Sequence, residues 1–564
     1  MSLRRYWAPL LLVAGILLAA LIQTNFGKVA VKDVRFTGSS GNQMSGLLYV
    51  PHSTSADSPA PAVLAVHGYI NSRETQSAFA IEFARRGYVV FALDQTGHGY
   101  SEAPAFSNGF GGPDGLKYLL NLPFVDQSRI GLEGHSMGGW TIQAAAAANP
   151  DAYQAMVLTG SSTGTFGVPD GTADYPRNLL LVFSLFDEFS ELMWGAAVPV
   201  DIVATPKLKS LFDTNTDVAP GQLYGDIKSG TARMLQMPPV THPGDHLSID
   251  TVEATVAWFN KTLQSPVSLP DRDQNWYWKE FATLFALLGF AGTALLLIDR
   301  FVTTDDVGLK HLESQSVSSP TLQRVTLAIS MTAPVLLFFP LQDMANSILP
   351  AMPWLPQQIT NGVLLWAWGS GLVTLVLLLV CRSKAGGDFL QLAKPGQLLS
   401  ALGSALLIAG ILYAISASAQ FLFSVDFRFW VVALKPLSSQ QVFIFLCYLP
   451  LFTVFFGVLS LGLHAFGSQR SGVMNGALLS AGFVVLLVVQ YTPLLLGGTL
   501  TLASQPLLTI VAFQFVPILF FVGLISTRCF NHTGNIWAGS ILNSLLVTWY
   551  LTAGTATQVL PVFG

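Results

Sequence analysis

Charge is spread unevenly along this chain, and that unevenness constrains the architecture more than any other feature. Of 564 residues, positions 281–564 carry only 10 basic and 7 acidic side chains. Positions 27–280 carry 16 basic and 25 acidic ones, a net charge of −9. A soluble domain is ordinarily about one quarter charged, and the second half falls far below that. Hydrophobic residues make up 51% of the whole, and the mean hydropathy is +0.52. A single water-soluble globule is therefore excluded. So is a disordered chain, which combines low hydrophobicity with high charge. The overall charge of −4 gives no electrostatic reason to bind nucleic acid. The chain reads as one acidic globular segment joined to one very apolar segment.

The apolar segment contains eight runs near the roughly 20 residues needed to cross a bilayer. They lie at about 281–298, 325–341, 362–380, 398–422, 442–466, 473–496, 507–525 and 536–552. A further run at 7–22 follows Arg4 and Arg5 and lacks a small-x-small cleavage site, so it reads as an anchor rather than a cleaved signal. With the N-terminus inside, the inner loops hold Arg300, Lys310, Arg324, Arg382, Lys384, Lys394, Arg470 and Arg528. The outer loops among the eight runs hold only Arg428 and Lys435. The positive-inside rule then puts residues 27–280 and the C-terminus outside. Ionisable side chains are nearly absent from the interiors of these runs, which argues against an ion-coupled transporter. The expected division is an anchor at 1–26, a globular domain at 27–270 and a membrane domain at 271–564.

Within the globular segment, short apolar runs alternate with helical spacing. Strands are predicted at 29–36, 43–50, 62–66, 88–93, 130–133, 155–159, 179–184 and 231–237. Helices are predicted at 75–86, 112–120, 140–148 and 249–263. Buried strands alternating with helices indicate an α/β domain with a mostly parallel sheet. All three cysteines, Cys381, Cys447 and Cys529, lie in the apolar half, so the globular segment has neither a disulfide nor a thiolate metal site. No cofactor or metal is expected.

Gly134-His135-Ser136-Met137-Gly138 fits G-x-S-x-G between a predicted strand and a predicted helix, the context that this pattern needs. A serine hydroxyl requires a base, and two histidines stand in Thr241-His242-Pro243-Gly244-Asp245-His246. His246, between the last strand and the last helix, is the preferred base, with His242 as the alternative. Asp187, just past the 179–184 strand, is the preferred acid. Glu188 and Glu191 are its rivals, while Asp201, Asp213, Asp217 and Asp226 read as surface acids. The backbone N–H groups of Met137 and Tyr69 are the candidate oxyanion donors. His67 reads as a residue packed beneath its loop.

These residues carry a resemblance. His67-Gly68, Asp94-Gln95-Thr96-Gly97-His98-Gly99-Tyr100-Ser101, Gly134–Gly139, Asp187 and His246 resemble the α/β-hydrolase superfamily, in its lysophospholipase-like, dienelactone-hydrolase-like and serine-aminopeptidase-like branch. The resemblance covers about residues 30–263. It implies a Ser136/Asp187/His246 triad attacking an ester, thioester or amide carbonyl. Two features depart from the family. The 160–178 stretch is short for a lid, and about 58 residues separate Asp187 from His246. The apolar 189–212 stretch is either a replacement lid or ordinary packing.

The resulting expectation is a membrane-anchored serine hydrolase facing the outer side. Its expected substrate is an ester of a lipid or another amphiphile, and its surroundings are the bilayer. A peptidase or acyltransferase using the same triad is the second reading. A permease or receptor with a hydrolase-fold binding module is the third.

Overall fold

The computed structural model describes residues 6–302, 320–385, 389–466 and 470–562. Arg4, Arg5 and Lys310, three of the cations used to orient the chain, lie outside the described residues.

Nine strands form one sheet in the N-terminal part: β1 (Val29–Thr37), β2 (Gln43–Pro51), β3 (Ala60–Val66), β4 (Val89–Asp94), β5 (Val125–His135), β6 (Ala155–Thr159), β7 (Leu179–Val182), β8 (Leu223–Tyr224) and β9 (Arg233–Gln236). Their spatial order is β1-β2-β4-β3-β5-β6-β7-β9-β8. The run from β4 through β3, β5, β6 and β7 to β9 is parallel. The β1–β2 hairpin and the short β8 add antiparallel edges. Central strands such as β3 are buried along their whole length because helices cover both faces. One apolar core lies on each side of the sheet, one around Leu64, Leu132 and Ile142, the other around Val63, Phe83 and Trp258. The predicted strands and helices are present. The two-residue strand β8 is an addition that periodicity does not reveal.

The remainder is helical. Among the described residues, six helices are long and apolar enough to cross a membrane: Trp276–Phe301, Gln358–Ser383, Gln391–Phe423, Ser439–Ala465, Gly472–Leu495 and Pro506–Thr533. A pair bent by 51°, Thr321–Leu336 and Phe338–Ile348, makes seven if it counts as one broken span. The protein is a multi-pass membrane protein. The Trp7–Gln23 helix has 17 residues and lies against Trp276–Phe301. A Cβ at Gly15 would collide with Ala282 and Ala286, and one at Gly289 with Leu12, so small residues bring these two backbones together. Trp537–Gly554, where the apolar run at 536–552 is expected to be a final span, is outside the six. It buries Ser540, Asn543, Ser544, Thr548 and Thr552 against neighbouring helices. Asn543 donates to Ser526 Oγ at 2.9 Å, which explains how so polar a helix is accommodated inside the bundle.

Candidate active site

The turn after β5 is sharp. Ser136 has φ 55° and ψ −121°, a conformation that a residue with a side chain rarely adopts. Its N–H donates to the Thr159 carbonyl at 2.8 Å, and its own carbonyl accepts from Ser161 Oγ at 2.7 Å. The flanking glycines are required by space. A Cβ on Gly134 would overlap the Gly138 carbonyl, and one on Gly138 would overlap the Val66 carbonyl. The Met137–Ala148 helix starts immediately after Ser136 and directs its N-terminus at the serine.

Asp187 lies beyond β7. The chain there pairs Phe186 with Thr241 in parallel register, so the next residue of each segment, Asp187 and His242, comes side by side. Asp187 Oδ2 is 2.8 Å from His242 Nδ1, and its Oδ1 accepts the Phe189 N–H at 2.8 Å. This corrects the expected pairing of Asp187 with His246. The residues His242–Leu247 form a 3₁₀ turn. With three residues per turn, side chains four apart point about a third of a turn away from each other. His246 is therefore turned away from Asp187: its Nε2 bonds Gln76 Oε1 at 2.8 Å, and Gln76 Nε2 donates to Glu133 Oε2 at 2.7 Å. The nitrogen that would serve as a base is occupied as a donor.

The two imidazoles differ electrostatically as well. Burial pulls His242 towards neutrality, but the Asp187 carboxylate, by charge and hydrogen bond, more than reverses that, with Glu188 and Asp245 adding to it. The His242 pKa is raised. His246 is pushed down to about 3, by burial first and then by the charge of His242. Glu188 is pushed up to about 7 by burial and by the neighbouring Asp187 charge. Its Oε2 accepts the His242 N–H at 2.8 Å, and its Oε1 accepts the Tyr491 hydroxyl at 2.6 Å.

Opposite the serine, β3 runs into His67-Gly68-Tyr69. His67 is fully buried; its Nδ1 bonds the Gly68 carbonyl at 2.7 Å and its Nε2 accepts the Gln95 N–H at 3.2 Å. It braces the loop from below. Tyr69 OH accepts from Gln558 Nε2 at 2.8 Å. Among the described residues, neither the Met137 amide nor the Tyr69 amide has an acceptor.

A strand-to-helix serine turn, a preceding glycine loop and an Asp–His pair beyond the next two strands occupy one end of a mostly parallel sheet. The N-terminal part has the α/β-hydrolase fold. Residues 57–181 match the family described as "Serine aminopeptidase, S33". A curated relative, the "Dipeptidyl-peptidase 5" of Schizosaccharomyces pombe, is 26% identical over 141 residues, which is 22% of this chain and 20% of that protein. Among solved structures, the Pyrococcus furiosus esterase Pf2001 is 18% identical, covers 43% of this chain and 95% of its own, and has a TM-score of 0.30. The hypothetical protein PA2218 from Pseudomonas aeruginosa is 26% identical, covers 24% of this chain and 43% of its own, and has a TM-score of 0.22.

The hydrolase domain does not close its own site. Ser136, Met137, Tyr69, His242 and His246 line a cavity of about 320 Å³ whose far wall is membrane-domain chain. That wall includes Glu280, Arg428, Trp430, Leu507, Ile510 and Gln514, none of which sequence reasoning assigned to the site. Trp430 sits at φ 52° in a tight hairpin, Phe427–Phe429 paired with Val432–Leu434, and donates its indole N–H to the Pro243 carbonyl at 3.2 Å. The apolar 189–212 stretch folds as short helices whose Met193, Trp194 and Ile202 pack into the hydrolase core. From that stretch Phe189, Leu192 and Met193 face the cavity.

A buried ion network joins the two parts. Lys435 Nζ is 2.9 Å from Glu74 Oε2, and Arg428 pairs with Asp426 at 2.6 Å and donates to Thr75 Oγ1 at 2.7 Å. Arg73 links Glu74 to Asp33. The signal for this contact in the sequence is the isolation of Arg428 and Lys435, the only cations in the loops expected on the outer side of an apolar segment attached to an acidic domain.

Proposed function

We propose that the protein is a membrane-anchored serine hydrolase that cleaves a carboxylic ester through an acyl-enzyme. The observation carrying this reading is the 2.8 Å bond between Asp187 and His242, on a cavity that Ser136 also lines. Asp187 holds the imidazole with Nδ1 protonated, leaving Nε2 to take a proton. Among the described residues Nε2 has no hydrogen-bond partner.

In the first half-reaction Ser136 Oγ bonds to the carbonyl carbon while its proton passes to His242. The Met137 and Tyr69 amides receive the developing oxyanion. The bond to the alkoxy oxygen then breaks, and His242 returns the proton to the departing alcohol. In the second half-reaction water adds to the acyl carbon, His242 again carries the proton, and the carboxylic acid leaves with Ser136 restored. His246, expected as the base, carries no proton in this scheme and stays bonded to Gln76.

An outer location for the hydrolase domain is supported by the remaining cations. Arg428 and Lys435, which stand against the positive-inside pattern, are neutralised by Asp426 and Glu74. Arg300 and Arg528 stand at helix ends remote from the hydrolase domain.

A fluorophosphonate probe tests the nucleophile. The wild type should be labelled and Ser136→Ala should not. Labelling that survives the substitution removes Ser136 from the mechanism, and an unlabelled wild type favours a binding module attached to a permease or receptor. Nitrophenyl esters and aminoacyl arylamides assayed side by side distinguish the ester reading from a peptidase.

A further inference from the structure

The catalytic cavity adjoins two further voids. A second void, of about 70 Å³, lies among the membrane helices and shares Ile70, Asn71, Arg428, Val431 and Gln514 with the first. A third, also of about 70 Å³, shares Trp366, Phe455 and Leu519 with the second. Together they form a file running from Ser136 into the bundle. Protein interiors are close-packed and leave few voids larger than a water molecule, so three in a row that begin at a nucleophile are a notable departure.

Deeper in, the second void is walled by Val363, Ala367, Val511 and Phe515 as well as Phe455 and Leu519. Its polar neighbours are already engaged. Lys435 and Arg428 are held by Glu74 and Asp426, and Tyr550 donates to Gln514 at 2.7 Å. A narrow apolar slot without free donors or acceptors does not hold water well. It suits an extended methylene chain and excludes bulky or polar groups.

We propose that this file receives the hydrocarbon tail of the substrate's acyl group. The enzyme would then act on long-chain acyl esters, with the tail among the membrane helices and the carbonyl at Ser136. This substrate class rests on the serine hydrolase reading given above. It assigns the membrane domain a task beyond anchoring, since two of the three voids are lined almost entirely by its residues.

The test uses the full chain in nanodiscs or detergent. Ala367→Cys places a thiol on the slot wall with little added volume, and a small methanethiosulfonate reagent reads its accessibility. Reaction of Ser136 with dodecyl fluorophosphonate should slow modification of that thiol at least tenfold. Reaction with methyl fluorophosphonate should leave the rate near that of the untreated protein. Equal rates after both probes, with Ser136 labelled by each, overturn the slot while leaving the hydrolase reading intact. If neither probe labels Ser136, the hydrolase reading itself falls. In a second measurement, Val511→Trp should lower the dodecanoate-to-butyrate ratio of kcat/KM by at least tenfold, provided that Ser136 still reacts with the methyl probe. An unchanged ratio overturns the proposal.

Discussion

Two imidazoles four residues apart have different partners here, Asp187 for His242 and Gln76 for His246, and substitution separates them. Removing the proposed base, His242→Ala, should lower kcat by about 10⁴-fold or more. His246→Gln, which keeps a hydrogen-bonding group near Gln76, should cost far less. Equal losses would show that the roles are wrongly divided. Asp187→Asn should cost about 10⁴-fold through loss of the correct tautomer. The pH profile follows from the same charges. A base must be neutral to accept a proton, and the His242 pKa is raised above its ordinary value of about 6.5. The acid limb of kcat/KM should therefore fall as pH drops through a value above 6.5. Glu188→Gln removes one of the negative charges that favour the imidazolium, so the limb should move to lower pH. A limb that stays in place would separate Glu188 from the site. At this scale the sharp turn at Ser136 was legible, because G-x-S-x-G needs only its strand-to-helix setting. Which histidine Asp187 contacts was not. It depends on the Phe186–Thr241 register, which carries Asp187 to His242 and which spacing alone does not reveal.

The element that binds the two parts is the short hairpin around Trp430. Its Lys435 is buried against Glu74, which is itself fully buried. Breaking a buried pair from one side leaves an uncompensated charge, at a cost of about 3–5 kcal/mol. Lys435→Met should lower the apparent melting temperature of the full chain. Glu74→Gln in the same background should recover part of the loss, and two independent, additive losses would show that the pair is not coupled. Strands β3 to β7 were readable because sheets covered on both faces demand continuous apolar runs. The hairpin was not readable, since three-residue strands have no periodicity to detect. The polar face of Trp537–Gly554 likewise becomes intelligible only when its buried partners are known.

Across the whole molecule, the charge split correctly separates a globular part from a multi-pass helical part, but it is silent on how they meet. The meeting place is the cavity itself, with Ser136 on one wall and Trp430, Leu507 and Ile510 on the other. A chain truncated after residue 270 should therefore lose more than its tether. It should react with a small fluorophosphonate more slowly than the full chain and be less stable, because Glu74 would lose Lys435 and the apolar wall would open to water. Labelling and melting equal to those of the full chain would reduce the helical part to an anchor.

The bond from Gln558 to Tyr69 spans 489 positions, and Thr557 pairs with Gly97 in the same region. Such contacts order events in time. When the first domain emerges from the ribosome, the loop beside Ser136 still lacks partners that are synthesised only after the helices have been made. The loop beside Ser136 is thus completed only after residues 557 and 558 have been made, so a chain still lacking them carries an unfinished cavity.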